Sequence, residues 1–406
     1  MKRMVMVAAV LAGMAALAAG AQEAEDITPT TDLSGWQALG GQWTVKDGVV
    51  SGLARKDENA WLLWTARELA DFELTLEFRT PVPTNGGVQF RSHWLPRVPL
   101  KEGETADTAP KQMYGYQANI ETRQRAATGR LVDENGRGPL AEADEAALKT
   151  LKQKDWNTMT VRAVGNLLEI SLNGVPAVKY EDEAFIGGYL ALQSFAWDLQ
   201  GESAAVEYRN LKLRDLGRTG NWRALFDGKS FDGWKKWGEE EWSIEDGTIV
   251  GRCGPKKSEG YLATIETWKD FRVRGRFRML GEGNYGLFYH STITLREDGY
   301  PVIAGLQGEV APEYPSPTGW VYESYKRGWL EKPNMNRLAA WALRPGAWNE
   351  IEIRSQGNRV TTWVNGVRAV DITDQGQQLF EGSFALQLHT GGSAGIMWKD
   401  LYVLNP

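Results

Sequence analysis

Apolar and polar residues alternate along much of this chain. Residues 72–80 (FELTLEFRT), 156–174 (WNTMTVRAVGNLLEISLNG) and 348–366 (WNEIEIRSQGNRVTTWVNG) carry apolar side chains at alternate positions. A period of two predicts strands with one buried face. Asn-Gly at 173–174 and 365–366 is a hairpin signal, because both residues tolerate the positive φ of tight β-turns. Helical periodicity is nearly absent, and residues 141–150 (AEADEAALKT) hold the best short candidate. Many short strands separated by glycine-rich turns predict an all-β sandwich.

The pattern is written twice. WTVKDGVVSG at 43–52 matches WSIEDGTIVG at 242–251, and NGGVQFRSH from Asn85 matches NYGLFYHST from Asn284. Thr128-Gly129 pairs with Thr318-Gly319, Arg137-Gly138 with Arg327-Gly328, Trp156-Asn157 with Trp348-Asn349, and YRNLKL from Tyr208 with WKDLYV from Trp398. The matches are collinear, which marks a duplicated domain. A chain of 406 residues also exceeds one ordinary core. Two sandwiches are expected, over residues 22–216 and 221–406, joined near 215–221.

Composition narrows the partners. The 46 basic and 52 acidic residues leave a net charge of −6, which argues against nucleic acid. Residues 1–21 read as a signal peptide, with Lys2 and Arg3, then an apolar stretch, then Ala19-Gly20-Ala21 as the cleavage site. Export to the periplasm or beyond is expected, and no other segment reads as a transmembrane span. The single cysteine, Cys253, permits no intramolecular disulfide and no cysteine-based zinc site. Trp36, Trp43, Trp234 and Trp242 recur beside strand signals and are expected in the core. Trp320, Trp329 and Trp341 fall in an irregular region of the second copy, where Trp329 is the best candidate for a platform under a sugar ring.

The chain lacks a phosphate-cradling Gly-x-x-x-x-Gly-Lys loop, a nucleophile elbow, a His-Glu-x-x-His zinc motif and a paired-carboxylate Glu-x-Asp-x-Glu strand. Its polar candidates concentrate in one region of each copy. In the second, Gln307 and Glu309 are spaced by two and would share a strand face, with Tyr322, Glu323 and Arg327 following. In the first, Gln117, Asn119, Asp133, Glu134 and Arg137 hold the matching places, and Arg91 answers to His290. Leu192-Gln193 and Leu386-Gln387 repeat as well, but two residues beyond the glutamine stands Phe195 in one copy and His389 in the other.

Taken together, Asn-x-Gly-x-x-Phe-Arg-Ser, Gly-Tyr-Gln-Ala, Asp-Glu-x-x-Arg, Trp-Asn, Asn-Gly and Leu-Gln-x-His-x-Gly make this chain resemble the 3-keto-disaccharide hydrolase family, over nearly all of both copies. The resemblance implies two tandem concanavalin A-like jelly-roll β-sandwiches in an exported bacterial protein. It further implies cleavage of a 3-keto-glycoside substrate: deprotonation at C2, β-elimination of the aglycone, then hydration. That chemistry needs a base, an enolate stabiliser and a leaving-group acid. A divalent metal ion is a candidate stabiliser, its identity open. His389 fits the base or a metal ligand, Glu309 and Glu323 a base, acid or ligand, and Arg327 the enolate or a sugar oxygen. Gln307, Tyr322, Trp329 and His290 complete the expected substrate-binding set, although His290 stands where the family has arginine. With Asn119 and Phe195 where the family has aspartate and histidine, the first copy is expected to be degenerate and the second catalytic. The competing expectation is a non-catalytic, lectin-like pair that binds carbohydrate. Gln307, Glu309, Glu323, Arg327 and His389 are expected to converge on one face.

Overall fold

The alternating segments pair into four antiparallel sheets, two per copy, in the computed structural model. It describes residues 23–54, 59–123, 127–195, 205–254, 259–334, 336–389 and 395–405; the expected signal peptide, 1–21, lies outside them. In the second copy the front sheet runs in the order Trp234–Trp237, Gly260–Thr264, Ser383–Leu388, Tyr285–Leu295, Pro301–Val310, Val321–Glu323, Gly328–Trp329. Its back sheet runs Glu241–Glu245, Thr248–Arg252, Gly395–Leu404, Phe271–Met279, Asn349–Gln356, Arg359–Val364, Val367–Thr373. The first copy repeats this order strand for strand, from Trp36–Leu39 to Gly138–Ala141 in front and from Gln42–Lys46 to Val175–Glu181 behind.

Alternation explains the layering. In Ser383–Leu388, Phe384, Leu386 and Leu388 enter the core between the sheets, while Ala385 and Gln387 face out. In Pro301–Val310, Leu306 and Val310 enter the same core. Burying each such side chain contributes roughly 2 kcal/mol. Trp43, Trp234 and Trp242 are core residues, as their place beside strands suggested, and Trp36 packs at the core edge. Trp320 and Trp341 are also buried, at 1% and 4% exposure, so the irregular region folds inward and neither can serve as a sugar platform. Of the expected 141–150 helix, Glu145–Lys149 is helical, with Asp144 capping it by accepting from the Ala146 amide at 2.7 Å. Among the described residues no helix is long and apolar enough to cross a membrane.

The copies are packed together. The helix Ala339–Ala342 and residues Val364, Val367 and Ala369 of the second copy join the first copy's hydrophobic core. Backbone bonds cross from Ile186 N to Gly366 O (2.8 Å) and from Arg368 N to Ala184 O (2.9 Å), and the Trp363 indole donates to the Glu183 carbonyl at 2.8 Å. Gly366 is required there: its φ is +84°, and a Cβ would lie 2.6 Å from the Gly187 carbonyl oxygen.

Candidate active site

The outer face of the second copy's front sheet carries a polar row across four strands. Register places Tyr261 beside Gln387, Gln387 beside Gly286, and Gly286 beside Glu309. A parallel row runs Phe288, Gln307, Tyr322, Trp329. Gly286 is the gap that lets the rows connect, since a Cβ there would collide with the Gln307 side chain. Through that gap Gln307 Nε2 donates to Gln387 Oε1 at 2.8 Å. The Gln387 side chain in turn hydrogen-bonds the Tyr261 phenol, and Tyr261 donates to Glu259 Oε2 at 2.5 Å. His389 Nε2 lies 3.1 Å from the other Glu259 oxygen. Tyr325 also reaches Glu259, at 3.3 Å, from the turn beyond Tyr322.

Two carboxyl groups on this face are driven apart. Glu309 is buried, and burial pushes its pKa up to about 8 despite a hydrogen bond from Asn284 and the nearby His389. Burial pushes Glu259 upward too, but His389, Tyr261 and Tyr325 more than offset it and hold the group below the usual carboxylate range. Near neutral pH the first is a carboxylic acid and the second a carboxylate. A pair of titratable groups separated in this way is the usual layout of an acid and a base assembly. With Nε2–H donating to Glu259, Nδ1 is the basic nitrogen of the neutral His389 ring.

Of the expected residues, Gln307, Glu309 and His389 meet on this face, and Tyr322 and Trp329 form its rim, their rings edge to face at 5.2 Å. Trp329 is 37% exposed. Glu323 and Arg327 do not join them. Glu323 pairs with Leu306 and so shares Leu306's core-facing side, one residue out of phase with Tyr322. There Arg327 bonds Glu323 and forks onto both oxygens of Asp374 at 2.7 Å, tying the front sheet to the loop after Val367–Thr373. The first copy builds the same clamp from Arg137, Asp133 and Asp182. His290 is placed elsewhere as well. It occupies a β-bulge at φ 48°, fully buried, with Nε2 2.7 Å from the Lys269 carbonyl. Arg91 fills the matching bulge at φ 46° and is equally buried against Ala70, Asp71 and Gly165. Both positions brace the end of the sheet rather than face a substrate.

Glu259, Tyr261, Asn284, Gln387 and Tyr325 are the partners that sequence reasoning did not propose. A usable signal existed for two of them: Glu259 and Tyr261 are spaced by two and replace Asn59 and Trp61 of the first copy. Among the described residues no three His, Cys, Asp or Glu side chains come together as metal ligands. The oxygens of Glu259 are already engaged by His389, Tyr261 and Tyr325. The described residues of this face therefore do not fit a divalent ion, and no step below runs through one.

Fold and site together define a tandem jelly-roll β-sandwich protein with an acid and an imidazole–carboxylate pair on one open face. The chain belongs to the 3-keto-alpha-glucoside-1,2-lyase-like domain family, which it matches over residues 23–214 and 221–404. A 3-keto-disaccharide hydrolase of Bacteroides thetaiotaomicron is 32% identical over 101 residues, which span 22% of this chain and 34% of that protein. A solved Bacillus subtilis carbohydrate-binding module is 19% identical, with a TM-score of 0.33, covering 44% of this chain and 95% of its own. A Bacillus subtilis protein of unknown function with a galectin-like fold is 15% identical, with a TM-score of 0.37, covering 48% and 96%.

Proposed function

We propose that this protein is an exported 3-keto-glycoside lyase/hydrolase whose second copy does the chemistry. The observation that carries the reading is the divergence of Glu309 and Glu259 around His389 on one face. Family membership and the hydrolase name of the Bacteroides relative support a saccharide substrate with a ketone at C3.

The ketone acidifies the C2 hydrogen. His389 Nδ1 takes that proton, with Glu259 orienting the ring and stabilising the imidazolium that forms. The C2–H electron pair moves into the enolate, whose oxygen meets the second N–H of the Gln387 amide, since both N–H groups of Gln307 are taken by Gln387 and Tyr285. Collapse of the enolate makes a C1–C2 double bond and expels the aglycone oxygen, which takes its proton from Glu309. In hydration the roles reverse: Glu309, now a carboxylate, takes a proton from water as its oxygen bonds C1, and the imidazolium, its Nδ1 proton having exchanged with solvent on the open face, returns a proton to C2. The sum is hydrolysis, with no redox change. Tyr322 and Trp329 at the rim hold the sugar, while Glu323 and Arg327 position the strand that carries Tyr322.

The test is turnover of a 3-keto-glucoside by purified protein, followed by product analysis, for the intact chain and for Glu309→Gln and His389→Ala. The reading expects free keto-glucose from the intact chain and at least a hundredfold loss in each variant. Sugar binding by calorimetry with no aglycone release from the intact chain would instead support a lectin-like pair.

A further inference from the structure

The second copy's back sheet carries an arginine stripe that the first copy lacks. In Phe271–Met279, Val273 and Phe277 enter the core, so Arg272, Arg274, Arg276 and Arg278 share the opposite face. The matching first-copy positions are Glu73, Thr75, Glu77 and Arg79. Arg274 and Arg276 open into a cleft of about 600 Å3 between the copies, whose wall also includes Arg67, Arg218, Arg344 and Trp348.

The cleft's three wall carboxylates are committed elsewhere: Glu68 pairs with Arg344, Asp215 with Arg67 at 2.8 Å, and Glu350 with Arg218. Five guanidinium groups against three carboxylates leave an excess of two positive charges in the wall. The excess falls on Arg274 and Arg276. Arg274 Nε is buried without a hydrogen-bond partner; its guanidinium lies over Trp222 at 4.7 Å and Tyr402 at 5.1 Å, with no ion pair among the described residues. Burial, with Arg218 nearby, pulls its pKa below the usual arginine range, although Glu350 and Glu352, which pair with other arginines, oppose the shift. Among the described residues Arg276 pairs only with Asp400, at 3.7 Å, and both side chains are more than 40% exposed.

We propose that this cleft is an oxyanion-binding site, in which Arg274 and Arg276 grip a sulfate-type group that is either free or borne by a saccharide. Planar guanidinium groups suit an oxyanion's paired oxygens. The site lies on the back sheet, apart from the face that carries Glu309 and His389, so it stands whether or not the proposed reaction does.

Calorimetry on the full chain tests it with three titrants: sodium sulfate, a sulfated oligosaccharide, and the same oligosaccharide without sulfate. The two sulfate-bearing titrants are expected to bind and the neutral one not. Tighter binding of the sulfated oligosaccharide assigns the site to a glycan, and equal affinity assigns it to a free anion. Arg274→Ala with Arg276→Ala should weaken binding at least tenfold. Arg276→Ala alone, at a half-exposed position that threatens folding least, should weaken it at least threefold. Arg278→Ala, on the same strand but outside the cleft wall, should change nothing. Absence of sulfate-dependent heat from the intact chain, or unchanged affinity in the Arg276→Ala variant, would overturn the proposal.

Discussion

The first and second copies share a strand order, a bulge and an arginine clamp, but their front sheets present different chemistry. In the first, the outer face is a bed of amides: Gln89 donates to Gln117 at 2.6 Å, Gln117 to Asn119 at 3.1 Å, and Gln193 to Asn59 at 3.0 Å. Two carboxyls join them: Glu121, bonded by Asn85 and Arg123, and Glu134, 3.4 Å from Gln193 and pushed up to about 7 by burial and by Asp133. In the second, Ser324 replaces Glu134, Glu259 replaces Asn59, Glu309 replaces Asn119 and His389 replaces Phe195. The carboxyl has in effect crossed the sheet, to a place where an imidazole can lean on it. Carboxyls among amides, with no imidazole beside them, can hold a polar ligand. An acid facing an imidazole–carboxylate pair can also move a proton in each direction, and only the second copy has that set.

The comparison breaks most readily at the proton carriers. His389→Ala and Glu309→Gln should each lower kcat/KM at least a hundredfold, within the range general acid–base catalysis supplies. Glu134→Gln in the first copy should change it less than twofold. An equal loss from Glu134→Gln would move the active site to the first copy. The clamps should behave alike in both halves, because both are structural. Arg327→Ala and Arg137→Ala each strand a buried carboxylate, Glu323 or Asp133. Each arginine is more than a third exposed, so solvent screening keeps the cost below that of a fully buried pair, at about 1–2 kcal/mol. Chemical denaturation should show that loss in both variants, with turnover per folded molecule kept within a few-fold.

A pH dependence of stability tests the same carboxyl from the folding side. Glu309 sits at about 8 when folded, against 4.5 when unfolded, so the folded chain keeps a proton that the unfolded chain has lost. Its contribution is therefore full below about 4.5 and is lost as pH rises toward 8. Thermal midpoints taken across that window should fall less steeply with rising pH in Glu309→Gln than in the intact chain. A steeper fall in the variant would show that Glu309 is not the group held protonated.

Strands and the shared face of Gln307 and Glu309 were legible from a period of two, duplication from collinear repeats, and the addition of His389 only from the family resemblance. The misplaced residues show where that rule ends. Glu323 follows Tyr322 by one position, and the register pairing it with Leu306, which only the folded sheet reveals, turns it inward. His290 sits in a bulge, where an extra residue interrupts the alternation that would otherwise place it. Glu259 lies 130 residues before His389, and the two meet because Gly260–Thr264 pairs with Ser383–Leu388. Trp320 and Trp341 looked like loop aromatics because their segments lack strand periodicity, yet burial of large apolar surface drew both inward.

The central claim, that His389 removes a proton from C2, is tested most directly by running the reaction in deuterium oxide. Intact protein should release keto-glucose carrying deuterium at C2, and His389→Ala should neither release the aglycone nor exchange that hydrogen. Aglycone release without deuterium at C2, or exchange by His389→Ala at the intact rate, would contradict the account.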